Sequence, residues 1–219
     1  MVKDNPCEMV DSIHVPQSIP EFFTEEEFGK LLSGTKVYPR NTERNVAMLE
    51  FIYASGCRRA EVSGMDVDLI WKSESCAKVK MGKGRADRLV LLGERFFQAW
   101  EGYSAVRART LARWERPQEK AAFVTKEGKR IDPETIYYTI KRLCRFAGVR
   151  ELYPHAIRHS AATHMLNNGD DLENIREQLG HISLSTTQVY LHVALERRRK
   201  MYLKSHPGAS PSPSPPSTS

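Results

Sequence analysis

Residues 154–169 read PHAIRHSAATHMLNNG, and they have the pattern of a helix with a boundary residue at each end. Pro154 begins the stretch and Gly169 ends it. Proline before a helix and glycine after it are typical boundary residues, so a helix is predicted from His155 to Asn168. His155 and Arg158 are three residues apart, and their side chains therefore project from one face. The helix brings an imidazole beside a permanently charged guanidinium.

Capping signals predict further helices on both sides of this stretch. Thr24 and Glu27 form a capping box ahead of a short helix. Apolar residues recur at helical spacing from Asn41 to Ser55, and Gly56 ends that helix, so that Arg58 lies just past a helix end. A helix is predicted from Glu94 to Ala112, and another is capped by Asp132, has Pro133 at its first position and ends at Gly148. Leu172 to Leu179 forms a further predicted helix, which Gly180 ends. A second capping box at Ser185 to Gln188 begins a helix that carries Tyr190, and the last predicted helix covers Ala194 to Ser205.

Between Val67 and Leu92 the pattern changes from helical to strand-like. Short apolar runs cover Val67 to Trp71, Ala77 to Met81 and Arg88 to Leu92, and Gly82-Lys83-Gly84 separates the last two. A small antiparallel sheet is predicted, with Lys83 at a hairpin turn. The fold class is therefore mainly α with a small antiparallel β-sheet (α+β).

The chain composition limits the classes of protein. A formal net charge of +6 makes a polyanionic partner plausible, because phosphates that are neutralised by Lys or Arg release counterions. The four cysteines, Cys7, Cys57, Cys76 and Cys144, lack Cys-x-x-Cys spacing, so free thiols are expected, without a disulfide framework or a zinc site. No other metal and no cofactor are expected. No apolar run approaches the roughly 20 residues that span a bilayer, and a cytoplasmic protein is expected.

The 219 residues predict one domain with two flanking segments. Residues 1–19 form an N-terminal linker, and residues 20–206 form the domain. Residues 207–219 are almost entirely Pro, Ser, Gly, Ala and Thr, and such a tail buries too little apolar surface to become ordered.

Each candidate functional residue has an ordinary structural explanation when it is taken alone. Arg58 beside Glu61 is typical of a surface ion pair, and Lys83 between two glycines is typical of a solvated hairpin tip. A lone histidine near a helix end is more often a cap or a core residue than a catalyst, and Tyr190 is one of eight tyrosines. The separate signals are weak, and their order along the chain is what makes them specific.

Five motifs together resemble the tyrosine recombinase (phage integrase) family, over essentially residues 20–207. The motifs are Ala54-Ser55-Gly56-Cys57-Arg58-Arg59-Ala60-Glu61-Val62, Gly82-Lys83-Gly84, His155-x-x-Arg158-His159-x-x-Ala162-Thr163-His164, Leu179-Gly180-His181 and Thr187-x-x-Tyr190-x-His192. The segment from Val193 to Pro207 looks most like the Xer branch, which resolves chromosome dimers. Cys57 and Ala60 stand where relatives often carry Leu and Ser.

The resemblance implies an active site and a reaction. Arg58, Lys83, His155, Arg158 and His181 would surround the nucleophile Tyr190, with Glu61 in a supporting position. Tyr190 would attack the scissile phosphate to give a 3′-phosphotyrosyl intermediate and a free 5′-hydroxyl, and strand exchange would need neither ATP nor a metal. Four subunits would act on two DNA duplexes.

The resemblance leaves alternatives open. A DNA-binding protein of this fold that does not cut, a type IB topoisomerase, and a phage, transposon or integron integrase compete with Xer-type chromosome dimer resolution. Members of the family usually carry a DNA-clamping domain of about 100 residues before this point, so the chain is either a fragment or a naturally short member.

Two further surfaces are candidates for binding. Lys141, Arg142 and Arg145 lie at helical spacings that favour one side, where they contact either DNA or solvent alone. The segment from Leu191 to Ser205 combines charged residues with an apolar side, and it docks either in a neighbouring subunit, as the family resemblance implies, or on its own core.

Overall fold

The computed structural model describes residues 21–38, 40–80 and 87–180. The described chain is mainly helical with one small antiparallel sheet, which confirms the predicted fold class. Its helices are α1 (Glu25–Val37), α2 (Thr42–Ser55), α3 (Arg59–Ser63), α4 (Glu94–Arg113), α5 (Pro133–Ala147), α6 (Pro154–Asn168) and α7 (Leu172–Leu179). Its strands are β1 (Ile70–Trp71), β2 (Cys76–Val79) and β3 (Arg88–Leu91), in the order β1-β2-β3.

The predicted helix caps are present in the structure. The Thr24 hydroxyl accepts a hydrogen bond from the Glu27 N–H (3.1 Å), and the Glu27 carboxylate accepts one from the Thr24 N–H (2.8 Å). The Asp132 carboxylate accepts from the Thr135 N–H (2.8 Å) at the start of α5. These local bonds satisfy donors that have no partner inside the helix, which is why the sequence signals located the helix starts.

The first strand is shorter than the sequence predicts. Val67–Leu69 forms a 3-10 turn of three residues, and only Ile70 and Trp71 pair with β2. Asp66 explains the difference, because its carbonyl accepts the Leu69 N–H (3.2 Å) and its carboxylate binds the Arg130 guanidinium (2.5 Å). The prediction of a strand from residue 67 is therefore wrong over its first three residues.

The core surrounds α2, which packs against α1, α4 and α6. Phe51 in α2 is fully buried, and its ring lies 5.4 Å from that of Phe96 and 5.8 Å from that of Phe123. Burying one such side chain contributes on the order of 1.5–3 kcal/mol. A second apolar cluster joins α6 to α7 and consists of Ala162, Leu166, Ile175 and Leu179. The carboxyl ends of α2 and α7 are thus fixed beside each other.

The structure can be compared with the predictions about free thiols and membrane-spanning segments. Cys57, Cys76 and Cys144 are buried free thiols, as predicted, and Cys7 lies outside the described residues. Of the helices in the described ranges, none is both long and apolar enough to cross a membrane.

Candidate active site

The candidate site is built on the turn between α2 and α3, which we call the Gly56 turn (residues 56–58). Gly56 adopts a left-handed conformation (φ 60°), and its N–H donates to the Ile52 carbonyl to close α2. A Cβ added at Gly56 would lie 1.9 Å from Leu179 Cδ2, so the turn also depends on the absence of a side chain. Glycine is required here for both conformation and space.

Arg58 is the N-terminal cap of α3, and the Glu61 side chain holds it. The Glu61 carboxylate accepts the backbone N–H of Arg58 (2.9 Å) and a side-chain N–H from its Nη1 (3.3 Å). The Arg58 side chain keeps 34% of its surface exposed, whereas Glu61 keeps 11%. Arg58 is therefore anchored at its base while its guanidinium remains accessible.

Arg158 lies on α6 and docks on the same turn. Its side chain is buried, and Nη1 donates to the Gly56 carbonyl (2.5 Å). Burial, and next the positive charge of Arg58, lowers the pKa of Arg158 to about 10. The guanidinium thus stays charged at neutral pH, and the structure brings two cations to one turn although 100 residues separate them in sequence.

His155 lies one turn of α6 before Arg158 and remains exposed. Loss of surrounding solvent, together with the charges of Arg158 and Arg58, lowers the pKa of His155 below its ordinary value of 6.5. A lowered pKa keeps the imidazole neutral at pH 7. His155 is therefore in the protonation state that can accept a proton.

Arg88, at the start of β3, is a component of this site that the sequence did not single out. Its Nη2 and Nη1 donate to the two Glu61 carboxylate oxygens (2.9 and 3.2 Å), and its Nε donates to the Gln178 carbonyl (3.2 Å). Burial raises the pKa of Glu61, but the hydrogen bonds from Arg88 and from the Arg58 backbone outweigh burial and hold this pKa below its ordinary value. The only feature of the sequence that could have pointed to Arg88 as a site residue was its position as a basic residue at the edge of an apolar run.

Gln178, at the end of α7, is a second missed residue. Its amide oxygen accepts the Leu91 N–H (2.9 Å), and its amide nitrogen donates to the carbonyls of Leu91 (2.8 Å) and Ala54 (2.9 Å). One buried side chain therefore ties the end of α7 to β3 and to the last turn of α2. Polar groups that are buried and fully paired in this way give a site rigidity.

Three predicted site residues lie outside the described residues: Lys83, His181 and Tyr190. Lys83 belongs to the segment that joins β2 to β3, whose residues Val79 and Arg88 are paired. His181 directly follows Gly180, and a Cβ added at Gly180 would lie 2.8 Å from Arg88 Cδ. The predicted helices at 185–205 and the two terminal segments also lie outside the described ranges.

The basic residues of α5 divide into two groups. Lys141 (3.5 Å) and Arg145 both form ion pairs with Glu151. Arg142 instead donates to the Tyr38 hydroxyl (2.8 Å) and lies over the Tyr38 ring. The helical spacing therefore does not give all three side chains the same surroundings. Within the described ranges, no three His, Cys, Asp or Glu side chains come together in a way that could hold a metal ion.

Comparison with solved structures defines the class of protein. The crystal structure of XerA recombinase matches with a TM-score of 0.71 and 29% identity, over 87% of this chain and 67% of that one. The structure of XerH recombinase bound to its palindromic difH substrate, a post-cleavage complex, matches with a TM-score of 0.68 and 23% identity, over 85% and 53% of the two chains. The fold is that of a tyrosine recombinase catalytic domain.

Sequence comparison then shows the family. The model of the phage integrase family matches residues 21–197, and the chain belongs to this family. It is 35% identical over 210 residues to tyrosine recombinase XerC of Thermodesulfovibrio yellowstonii, covering 94% of this chain and 69% of that protein. It is 38% identical over 201 residues to tyrosine recombinase XerD of Bifidobacterium longum, covering 88% and 64%. The chain spans about two thirds of the length of these relatives.

Gly56→Ala is expected to destabilise the protein strongly. The substitution combines an unfavourable positive φ with a 1.9 Å clash against Leu179, so we expect a loss of at least about 2 kcal/mol of unfolding free energy. Urea unfolding measures this loss. Gly102→Ala in α4 is the matched control, because nothing lies within 4 Å of its added Cβ, and it should leave stability unchanged or raised. Equal effects of the two substitutions would contradict the role of the Gly56 turn.

Proposed function

We propose that this chain catalyses site-specific recombination of double-stranded DNA through a covalent protein–DNA intermediate. One observation carries the proposal: Arg58 and Arg158 are anchored at the Gly56 turn, and each uses only one side-chain nitrogen to bind an acceptor among the described residues. A guanidinium has five N–H donors, so on both side chains most donors have no acceptor among the described residues. Two such groups can bind the oxygens of one phosphate and neutralise its charge.

The proposed reaction transfers the scissile phosphate from the DNA 5′-oxygen to the Tyr190 oxygen. The Tyr190 Oη attacks the scissile phosphorus, the bond from phosphorus to the 5′-oxygen breaks, and a 3′-phosphotyrosine and a 5′-hydroxyl result. Arg58 and Arg158 stabilise the charge that develops on the nonbridging oxygens, which is the largest contribution that a site can make to phosphoryl transfer. The bond energy is retained in the phosphotyrosine, so a 5′-hydroxyl of a partner strand can attack it without ATP.

Proton transfers need partners for the nucleophile and the leaving group. Tyr190 has an ordinary pKa near about 10 and must lose its proton during attack, and we assign His155 as the base. Lys83 is assigned as the acid that protonates the 5′-oxygen. His181 donates a hydrogen bond to a nonbridging oxygen, and Glu61 orients Arg58.

The relatives support a particular biological role. The relatives at 35% and 38% identity are named tyrosine recombinase XerC and XerD, and the structure of XerH is a complex with its difH DNA substrate. We propose an Xer-type role in chromosome dimer resolution, in the cytoplasm, with a tetramer acting on two duplexes. Transposon integrases share the fold at 15% identity, so an integrase role is the competing candidate.

The domain boundaries and the binding surfaces belong to the same proposal. We propose that residues 20–206 form the catalytic domain between the linker of residues 1–19 and the Pro- and Ser-rich segment 207–219, and that residues 191–205 serve to dock on a neighbouring subunit. On α5, Lys141 and Arg145 are assigned to DNA phosphates. When DNA binds, these two residues would release Glu151 and bind the phosphates instead. Arg142 is the weakest of the three assignments, because it is held by Tyr38.

Covalent trapping tests the proposed function. The full chain is incubated with DNA duplexes that carry a nick next to the scissile phosphate, so that religation is prevented, and adducts that resist SDS are counted and mapped on chromosomal DNA. We expect adducts at a discrete site on the nicked duplexes and, in a parallel reaction with two intact duplexes, joined products between them. Binding without adducts would support a non-cleaving protein, and relaxation of supercoils without strand exchange would support a topoisomerase.

The pH dependence of cleavage tests His155 as the base. Because the pKa of His155 lies below 6.5, the ring stays neutral as the pH falls towards that value, and the single-turnover rate should decline only at still lower pH. His155→Gln should remove this decline and lower the plateau rate by a factor of roughly 10² or more.

His164→Gln is the control for this pH profile. His164 lies on the same helix, but it is buried, and its Nδ1 lies 2.7 Å from the Tyr53 hydroxyl. Its substitution should leave the decline at low pH in place. An unchanged pH profile in His155→Gln would remove His155 from the role of base.

A further inference from the structure

Arg88 and Glu61 form the most enclosed ion pair in the described part of the site. The Arg88 side chain keeps 9% of its surface exposed and that of Glu61 keeps 11%, and the guanidinium holds both carboxylate oxygens, at 2.9 and 3.2 Å. The interaction of Arg58 with the same carboxylate is weaker, with a single side-chain bond of 3.3 Å. Glu61 is therefore shared unequally between two arginines.

This unequal sharing has an electrostatic consequence. A carboxylate that lies beside one guanidinium forms a bidentate pair with it, and such a pair neutralises the charge and occupies the donors. Glu61 is limited to a single bond with the Arg58 guanidinium, because Arg88 uses one acceptor site on each of its oxygens and the Arg58 backbone N–H uses a third site out of roughly four. The backbone N–H of Arg58 also holds one oxygen (2.9 Å), which fixes the carboxylate at the start of α3.

Arg88 is itself fixed by contacts from two other elements. Its Nε donates to the Gln178 carbonyl at the end of α7 (3.2 Å), and its Nη2 lies 3.6 Å from Cys57 Sγ in the Gly56 turn. Its side chain also occupies the space beside Gly180, where an added Cβ would lie 2.8 Å from Arg88 Cδ. The position of the guanidinium is thus determined from three sides.

We propose that Arg88 is a positioning residue for the cleavage reaction, which holds Glu61 so that the charge and the N–H donors of Arg58 remain available to the scissile phosphate. Arg88 acts on the reaction through Glu61. The inference rests on the proposed function, because it assigns the phosphate as the group that Arg58 binds.

The test is a set of variants in the full chain. Arg88→Met should slow single-turnover cleavage at saturating DNA by a factor of about 100, the usual cost of losing one oxyanion contact, because Glu61 then pairs with Arg58. Glu61→Gln in the same chain removes the competing charge, and the double variant should recover to within about tenfold of wild type. This rescue is the result that a merely structural role of Arg88 does not produce.

Arg130 provides a matched control arginine. It binds the Asp66 carboxylate (2.5 Å) and the carbonyls of Ser63 (2.9 Å) and Met65 (3.1 Å), so it also joins loops through an ion pair. Arg130→Met should lower stability and leave the cleavage rate of the folded protein within about threefold of wild type. If Arg88→Met prevents folding, Arg88→Lys replaces it, with a loss of about tenfold that Glu61→Gln relieves.

A second measurement is independent of activity. A crystal structure of the Arg88→Met or Arg88→Lys variant should show both Glu61 oxygens on the Arg58 guanidinium, in place of the single 3.3 Å bond. A carboxylate that keeps its position, or a double variant as slow as the single one, would overturn the proposal. If wild type itself forms no adduct, the proposed function fails, whereas the crystal structure still decides how Arg88 holds Glu61.

Discussion

Arg158→Ala is expected to slow covalent cleavage by a factor of roughly 10²–10³, because it removes a cation that stabilises the charge of the transition state. The structure supports a large effect. Arg158 is buried and is held against the Gly56 carbonyl, so its position is fixed before DNA binds. A preorganised charge costs no reorganisation during the reaction, and this is why its loss reduces the rate more than the affinity.

Arg158→Lys should not restore the rate. Lysine retains the positive charge, but it lacks the planar fork that can bind the Gly56 carbonyl with one nitrogen and the phosphate with the others. We therefore expect the lysine variant to remain at least about tenfold below wild type. Single-turnover cleavage at saturating DNA, together with a separate binding titration, measures the effects on rate and on affinity independently.

Arg44 offers a control for the loss of a buried arginine. Arg44 and Arg158 are each 6% exposed, and Arg44 also donates to a backbone carbonyl, that of Val124 (3.2 Å). It lies near the first turn of α2, about 18 Å along the helix from the Gly56 turn. Arg44→Ala should cost stability while the folded protein cleaves at nearly the wild-type rate. Equal losses of rate in both variants would show that Arg158 acts through stability alone.

Local signals in the sequence predicted most of the helices. The capping box at Thr24, the cap at Asp132, and the glycines that end α2 and α5 act within one turn of chain, and a sequence pattern contains all of that information. The proximity of Arg58 and Arg158 came from family resemblance and not from spacing. The structure provides its physical basis, since α6 packs against α2 and places Arg158 on the Gly56 carbonyl.

The parts of the site that the sequence did not predict depend on long-range partners. Arg88 is 27 residues from Glu61 and 90 residues from Gln178, so no local pattern links them. Asp66, which precedes the shortened first strand, likewise has a partner 64 residues away in Arg130. Charged residues inside apolar runs were the only available signals, and they do not identify a partner.

Tyr190→Phe should abolish the covalent intermediate completely. Phenylalanine keeps the ring but lacks the oxygen that forms the bond to phosphorus. DNA binding should remain within about threefold of wild type, because a single hydroxyl contributes little to an interface that depends on charge. The chain contains other tyrosines, and Tyr153 and Tyr202 are the alternative nucleophiles to be examined if an adduct persists.

Peptide mapping of the adduct identifies the residue that forms the bond to DNA, which we propose is Tyr190. The full chain is trapped on a nicked duplex and digested with protease and nuclease, and the peptide that carries a 3′-nucleotide is sequenced by mass spectrometry. We predict that the nucleotide is attached to Tyr190 and that Tyr190→Phe gives no modified peptide. A nucleotide on any other residue, or an adduct of undiminished yield in Tyr190→Phe, would contradict the account.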